Sequence, residues 1–155
     1  MPRQLESLLG EVPLLEGLSP AELSLLAGCA RNVHFDAGAY LFRRGDAADT
    51  FHVIRHGNVA LEMFVPARGA VVIETVEAGE MIGWSWLFSP YRRHFDARAL
   101  TVVRATEFDG ACLRGKCEDD PKLGYDLMSR FAQVLIERLQ WTRLRLLDVY
   151  GDGGG

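Results

Sequence analysis

Residues 51–64 read Phe51-His52-Val53-Ile54-Arg55-His56-Gly57-Asn58-Val59-Ala60-Leu61-Glu62-Met63-Phe64. Two apolar runs of strand length flank a tetrapeptide, residues 55–58, that has the composition of a tight turn. The pattern predicts two β-strands that are joined by this turn as a hairpin.

Short apolar runs separated by turn signals continue in both directions, from Asn32 to Phe108. Further runs are Val33-His34-Phe35, Tyr40-Leu41-Phe42 and Val71-Val72-Ile73, and the breaks contain Gly38, Gly45, Gly57, Gly69, Gly79 and Gly83. Turn signals about 8–12 residues apart are typical of a sandwich or a jelly roll. We therefore expect a β body over residues 32–108.

A helical segment is expected to precede this body, over residues 1–31. Its clearest signal is Ser19-Pro20-Ala21-Glu22, a capping box with proline at the first helical position. A shorter helix around Leu5, Leu8 and Leu9 is expected to stop at Gly10.

Helical patterns return after the body, over residues 109–150. Asp109 is expected to cap a short helix through Leu113, and Asp120-Pro121 is a second start signal, an N-cap followed by proline. The long helix that follows is expected to reach Tyr150, and residues 151–155, which are mostly glycine, are expected to form a flexible tail.

This last helix carries apolar residues at spacings of three and four: Leu123, Leu127, Phe131, Leu135, Leu139, Thr142, Leu146 and Val149. Thirty helical residues span about 45 Å, whereas a body of this size is roughly 35 Å across. The far end would therefore present apolar surface, which favours pairing with the same helix of a second subunit. A kinked pair of helices folded onto the body is the alternative. We expect Arg130, Arg138, Arg143 and Arg145 to form the solvent face.

Composition excludes several classes of protein. The 155 residues (17.3 kDa) are 48% hydrophobic and 25% charged, as in ordinary globular domains. There is no apolar run of the roughly 18 residues that a membrane span needs, and the N-terminus has no apolar secretion signal. The net charge of −4 does not attract nucleic acid. Three cysteines without paired spacing predict reduced thiols and a cytoplasmic protein.

The residues from Gly79 to Arg98 carry the clearest chemical signal. A strand end at Gly83 leads into a single helical turn, Trp84 to Phe88, and then into a loop that contains Arg92, Arg93 and Arg98. Free backbone N–H groups beside arginines form an anion site. The alternative is a solvated loop whose arginines pair with the acidic run Glu118-Asp119-Asp120.

Catalytic and metal-binding patterns are not found in the sequence. The four histidines are scattered, without metal-ligand spacing, and there is no Gly-x-Ser-x-Gly elbow or Walker-type loop. We expect a protein that is not an enzyme and has no metal centre.

An ordered set of motifs now identifies a family resemblance. The motifs are Leu15-Glu16-Gly17-Leu18-Ser19-Pro20-Ala21-Glu22-Leu23, Gly38-Ala39-Tyr40-Leu41-Phe42-Arg43-Arg44-Gly45-Asp46, Phe51-His52-Val53-Ile54-Arg55-His56-Gly57-Asn58-Val59 and Gly79-Glu80-Met81-Ile82-Gly83. From about Leu14 to Tyr150 the chain resembles the cyclic nucleotide-binding domain of the catabolite-activator (Crp/Fnr-like) regulators.

The resemblance implies a mainly β fold, a cupin-like double-stranded β jelly roll with N-terminal helices and a long C-terminal helix. It implies that residues 79–98 are a phosphate-binding cassette, that residues 109–150 form a lid and dimer element, and that the ligand is cyclic AMP or cyclic GMP. The ligand-binding residues that it implies are Gly83, Trp84, Ser85, Arg92, Arg93 and His94. In this resemblance Arg93 is the arginine whose positive charge holds the phosphate. Arg92 has that role if the alignment with the family shifts by one residue.

The cassette departs from the family pattern at two positions. Trp84 stands where the family has a glutamate for the ribose 2′-hydroxyl, and Phe95 stands where it has a small residue.

The sequence leaves two functions open for this chain. The first is a standalone sensor for a cyclic nucleotide or a related anion, without DNA binding, because only five residues follow Tyr150 where the family usually has a helix-turn-helix. The second is a degenerate scaffold that binds no ligand and dimerises through its last helix, or binds a partner protein.

Overall fold

Antiparallel β-strands form the body of the protein in the computed structural model, which describes residues 9–10 and 12–154, with side chains as far as Leu147. The strands are β1 (Ala30–Phe35), β2 (Tyr40–Phe42), β3 (Thr50–His56), β4 (Val59–Val65), β5 (Gly69–Val76), β6 (Met81–Ile82), β7 (Asp96–Ala99) and β8 (Val103–Asp109). The five apolar runs singled out in the sequence are β1 to β5, which confirms that part of the prediction.

The strands form two four-stranded sheets, in the orders β1-β8-β3-β6 and β2-β7-β4-β5. All pairings are antiparallel, and sequence neighbours alternate between the sheets, as in a jelly roll, except that β4 and β5 pair with each other. The predicted double-stranded β jelly roll is therefore confirmed.

The turn at residues 55–58 is present, but it does not form a hairpin. Gly57 has a φ of 91° there, while β3 pairs with β8 and β6, and β4 pairs with β5 and β7. The prediction of a β3–β4 hairpin is wrong because the turn carries the chain from one sheet to the other. A turn signal fixes a local reversal, and the choice of pairing partner depends on distant strands.

Two hydrophobic clusters stabilise the fold. One lies between the sheets and contains Ile54, Val59, Val76, Ile82, Ala97, Ala99, Val103 and Ala105. The other joins the first sheet to the helices and contains Leu9, Val12, Leu15, Leu18, Leu26, Phe51, Val53, Met81, Trp86, Phe108, Leu113, Leu123, Leu127 and Phe131. Residues alternate between these clusters along β3, which explains why both faces of that strand are apolar.

Helix α1 (Pro20–Ala27) follows a 3-10 turn at Pro13–Leu15. The predicted capping box is confirmed: the Glu22 amide donates to Ser19 Oγ at 3.2 Å, and the Ser19 amide donates to Glu22 Oε1 at 3.0 Å. The helix expected around Leu5 and Leu8 lies outside the described residues, apart from Leu9 and Gly10, which are helical.

Two helices close the chain, α2 (Gly110–Asp119) and α3 (Pro121–Gly154). Both predicted caps are confirmed, since Asp109 Oδ1 accepts from the Cys112 amide at 3.0 Å and Asp120 Oδ1 accepts from the Leu123 amide at 3.2 Å. Helix α2 continues past Leu113 and through Gly115, and ends at Asp119, because no proline stops it before Asp120-Pro121.

Helix α3 also exceeds its predicted end. Residues 151–154 continue it, so the expectation of a flexible tail from residue 151 is wrong as far as Gly154. Extending an existing helix costs less than starting one, and this allows glycines of low helix propensity to follow thirty helical residues. In the described part of the chain, no helix is both long and apolar enough to span a membrane.

The cysteines differ from the prediction. Cys29 and Cys112 form a disulfide across 83 residues of sequence, with their Cα atoms 5.5 Å apart, and Cys117 is free. The expectation of three reduced thiols is therefore wrong for this pair. The two cysteines meet because β1 and β8 pair from Ala30 opposite Phe108, and Cys29 precedes one strand while Cys112 follows the other.

Candidate functional site

The residues after β6 form a sharply turned segment at the edge of the roll. Gly83 has a φ of 102°, in the left-handed region that favours glycine, and a 3-10 turn, Trp84–Leu87, follows it. The amides at the start of such a turn have no partner within it. We call residues 79–98 the cassette, and Gly83 sets its direction.

Trp86 anchors the cassette in the hydrophobic core. Its ring is fully buried, stacks on Phe51 with centroids 5.0 Å apart, and meets Phe131 of α3 edge-on at 5.9 Å. Its carbonyl accepts a hydrogen bond from Arg114 Nη1 at 2.8 Å. This side chain therefore packs against the first sheet and α3 and leaves the space in front of the cassette open.

A cleft of about 340 Å³ lies in front of the cassette. It is lined by Phe42, Leu61, Glu74, Met81, Ile82, Gly83, Trp84, Ser85, Phe88, Ser89, His94, Phe95 and Arg138. Most of these side chains are apolar or aromatic, with Glu74 and Arg138 as the charged members. A mostly apolar hollow with a few convergent polar groups is typical of a small-molecule site.

Of the six predicted ligand-binding residues, Gly83, Trp84, Ser85 and His94 line this cleft. Arg92 and Arg93 are not among the described residues that line it. Arg92 is exposed, and its Nη1 lies 3.5 Å from the Gly45 carbonyl oxygen. The cassette thus brings four of the six together.

Arg93 lies inside the protein, behind the cassette. Its side chain is 4% exposed, and Nη2 donates to the Thr50 carbonyl oxygen at 2.5 Å. The guanidinium carbon stacks over the Phe42 ring, 4.1 Å from its centroid. A Cβ placed on Gly83 would lie 2.9 Å from Arg93 Nη1. The cation is therefore directly behind the backbone of Gly83, and the ring of Phe42 faces both the guanidinium and the cleft.

This guanidinium is incompletely paired. Its Nε and Nη1 are buried without a hydrogen-bond partner among the described groups. Desolvation lowers the pKa of Arg93 to about 10, while Asp49 and Asp46 oppose that shift. The group stays charged at neutral pH, so a positive charge lies behind Gly83.

Arg138 is a cleft residue that the sequence did not indicate. Its Nη1 donates to Glu74 Oε1 at 2.6 Å, and its Nη2 donates to the Met81 carbonyl oxygen at 3.0 Å and to Glu80 Oε2 at 3.3 Å. The expectation that it belongs to a solvent face is wrong. Helical spacing shows which residues share a face, and the position of that face against β5 and β6 is a property of the tertiary fold.

Arg130 is a second exception to the predicted solvent face. It donates to the carbonyl oxygens of Leu14 and Glu16 and pairs with Asp126. The long helix is thereby bonded to the 3-10 turn before α1. These contacts fix the first half of α3 on the body of the protein.

The cassette arginines do not pair with the acidic run at residues 118–120, as the alternative would require. Arg98 instead forms a two-point ion pair with Glu62, at 2.9 and 2.8 Å, across β7 and β4. Hydrogen bonding to Arg98 lowers the pKa of Glu62 despite its burial. This pair joins β7, at the end of the cassette, to the neighbouring strand β4 of the second sheet.

Comparison with known proteins identifies related domains. The family model of the cyclic nucleotide-binding domain matches residues 32–120. The regulatory subunit of a cAMP-dependent protein kinase from Emericella nidulans is 30% identical over 105 residues, which cover 68% of this chain and 25% of that protein. Glutaminase 1 from Bradyrhizobium diazoefficiens is 32% identical over 133 residues, 84% of this chain and 21% of that protein. The chain thus spans about a quarter of the length of such curated relatives.

A solved structure is similar over nearly its whole length. A putative cyclic nucleotide-binding protein from Geobacter metallireducens superposes with a TM-score of 0.75 at 27% identity, over 89% of this chain and 97% of that one. The matched family model describes a regulatory ligand-binding domain and not a catalytic one. On the match over residues 32–120, this chain belongs to the cyclic nucleotide-binding domain family.

Proposed function

We propose that this chain is a ligand-sensing regulatory module without catalytic activity, and that its cleft binds a cyclic nucleotide. The observation that carries the proposal is the open cleft of about 340 Å³ in front of the cassette. The aromatic residues of the cassette do not fill it, since Trp86 packs into the core and Trp84 forms one wall, edge-on to Phe131 at 5.8 Å. Space for a ligand is therefore retained despite the divergent sequence.

The parts of the cleft suit different parts of the ligand. The phosphate is assigned to the amides of residues 83–85, where Arg93 supplies positive charge from behind Gly83. The base is assigned to the aromatic side of the cleft, formed by Trp84, Phe88 and Phe95. A carboxylate for the ribose is missing at position 84, which costs roughly 10–150-fold in affinity against a site that has one. We therefore expect binding in the micromolar range or weaker.

Regulation follows from the position of Arg138. This side chain lines the cleft and also bonds α3 to Glu74, Glu80 and Met81. A ligand in the cleft changes the environment of these bonds, and so biases the position of α3. The size of the effect equals the ligand's preference for one position over the other.

Titration calorimetry with cyclic AMP and cyclic GMP tests the proposal. We expect one of them to bind the full chain, and Arg93→Met to weaken that binding about tenfold or more because the buried charge is lost. Arg68→Ala, which removes one charge from the exposed β4–β5 turn, is the control and leaves the affinity unchanged. Binding that is equally strong in Arg93→Met would contradict the assigned role of the arginine.

A specific observation favours a second candidate, an interaction module that binds no nucleotide. Arg93 is already held by Thr50 and Phe42, and Trp84 replaces the family's acidic residue. Absence of heat with both nucleotides, together with unchanged tryptophan fluorescence, would support this candidate against the sensor. In both cases we propose that α3 pairs with a second copy of the chain.

A further inference from the structure

A second concave surface lies on the first sheet and shares no lining residue with the cleft in front of the cassette. It has a volume of about 640 Å³ and is lined by Asn32, Val33, His34, Arg55, His56, Val102, Arg104 and Ala105. Arg93 of the cassette bonds to Thr50 at the start of β3, whereas His56 is at the end of that strand. His56 thus lies at the opposite end of β3 from the residue that bonds Arg93, and we call this second concave surface the basic cleft.

Three nitrogen-rich side chains stand in one row across the basic cleft. In the strand register, Arg104 of β8 is opposite His34 of β1 on one side and, past an irregularity in the register after Ile54, opposite His56 of β3 on the other. In the regular pair with β1, directly opposed residues share a face and have Cβ atoms about 4.5–5.5 Å apart, and all three side chains line the basic cleft. A small tetrahedral anion above Arg104 is within reach of all three side chains.

The charge of the basic cleft is uncompensated. None of its lining residues is acidic. Within residues 9–10 and 12–147, neither Arg55 nor Arg104 makes a side-chain hydrogen bond or ion pair, whereas other arginines do, namely Arg31, Arg43, Arg98, Arg130 and Arg138. Two unpaired guanidinium groups concentrate positive charge in a chain with a net charge of −4.

The rim of the basic cleft is held in place by a second set of contacts. Gly57 is in the left-handed region, and a Cβ there would collide with the Val102 carbonyl oxygen. The Asn58 amide donates to Thr101 Oγ1 at 3.1 Å, and the Leu100 amide donates to the Asn58 carbonyl oxygen at 2.9 Å. The β3–β4 turn is thus bonded to the β7–β8 loop, which places Arg55 at the end of β3 and Val102 in that loop on the same rim.

We infer that the basic cleft is a second ligand site, and that it binds a small anion that carries a phosphate group. Arginine forms two parallel hydrogen bonds to phosphate oxygens, and histidine can donate a further one. The row of three side chains is short, and so it suits one compact anion better than a long anionic molecule. This inference is independent of the ligand proposed for the cassette.

Amide NMR of the ¹⁵N-labelled full chain, titrated with pyrophosphate at constant ionic strength, tests the inference. We expect saturable shifts at residues 32–34, 55–56 and 104, with no such shifts when chloride replaces pyrophosphate. Arg104→Ala weakens the binding roughly tenfold or more, and Arg55→Ala does so to a smaller extent. Arg68→Ala is the charge-matched control and retains the affinity.

Three outcomes would overturn the inference: no saturable shift with pyrophosphate, equal affinity in Arg104→Ala with a native amide spectrum, or shifts confined to residues 83–85. The last outcome would place the anion in the cassette cleft. If Arg104→Ala loses its native spectrum, Arg55→Ala decides the question, because Arg55 lies next to the β3–β4 turn and outside both hydrophobic clusters.

Discussion

At the scale of single residues, Gly83 determines how closely the cassette approaches the buried arginine. A methyl group at this position would contact Arg93 Nη1 at 2.9 Å and both Phe51 Cα and the Thr50 carbonyl oxygen at 3.3 Å. The backbone there also has a φ of 102°, which disfavours any residue with a side chain. Close approach and backbone conformation therefore act together at one position.

We predict that Gly83→Ala lowers the free energy of unfolding by about 2–3 kcal/mol. Gly79→Ala is the matched control, because Gly79 has a φ of 89° but a methyl group there would meet only open space, and we expect it to cost about 1 kcal/mol. Urea denaturation of both variants measures the difference. Equal losses would show that the contact with Arg93 contributes nothing.

His52 is a buried group whose titration affects stability. It is 2% exposed, and its Nε2 lies 3.0 Å from Glu107 Oε2. Burial lowers the pKa of His52, although the hydrogen bond to Glu107 opposes that shift. The folded protein therefore resists a proton that the unfolded chain accepts as the pH falls through about 6.5.

We predict that the free energy of unfolding falls between about pH 7.5 and 5.5, since the unfolded chain binds more protons than the folded one in this window. The contribution of one such group is at most about 1.4 kcal/mol per pH unit. His52→Gln keeps a polar side chain next to Glu107 and makes the pH dependence shallower. A slope that is identical in wild type and variant would contradict the role of His52.

At the scale of elements, the disulfide joins the end of α1 to the first turn of α2. Closing 83 residues of sequence between Cys29 and Cys112 restricts the unfolded chain, and a loop of this length corresponds to about 4.5 kcal/mol in the chain-entropy model. We predict that reduction lowers the urea midpoint of the wild type accordingly. Cys117→Ser, which retains the disulfide, is the control and shows the same loss on reduction. A midpoint that is insensitive to reductant would count against the disulfide.

Local signals predicted the elements well but not their pairing. Ser19-Pro20 and Asp120-Pro121 mark helix starts because capping depends on neighbouring residues alone. The pairing of β3 with β8 and the meeting of Cys29 with Cys112 depend on residues that are distant in sequence. No local pattern encodes such contacts.

The residues of the cleft also divide into those that neighbouring sequence indicates and those that only the fold brings together. Gly83, Trp84 and Ser85 are contiguous, so the sequence could indicate them together. Arg138 and Phe42 come from elements that the fold alone brings to the cassette. The inward direction of Arg93 likewise depends on the partners it finds in β2 and β3, Phe42 and Thr50.

At the scale of the whole molecule, α3 is the unusual feature. Its 34 residues span about 51 Å, and from its middle onward it exposes large apolar side chains: Ile136, Leu139, Trp141, Leu144, Leu146 and Leu147. A surface of this kind on a helix is suited to pairing with a second helix. We propose that this is the dimer interface.

We predict that light scattering gives twice the 17.3 kDa chain mass for the wild type. The double variant Leu139→Glu, Leu146→Glu places charges in the apolar row and returns the mass to that of the monomer. Gln140→Glu, at an exposed polar position of the same helix, is the control and remains dimeric. A wild-type mass of 17.3 kDa would disprove the dimer.

The claim on which the account depends is that the cassette cleft binds a cyclic nucleotide. Cyclic AMP and cyclic GMP titrated separately into ¹⁵N-labelled protein, with every amide followed by NMR, test it most directly. The account predicts saturable shifts centred on Gly83, Trp84 and Ser85, which spread to α3 around Arg138. A spectrum that neither nucleotide changes, or shifts that leave the cassette untouched, would contradict it.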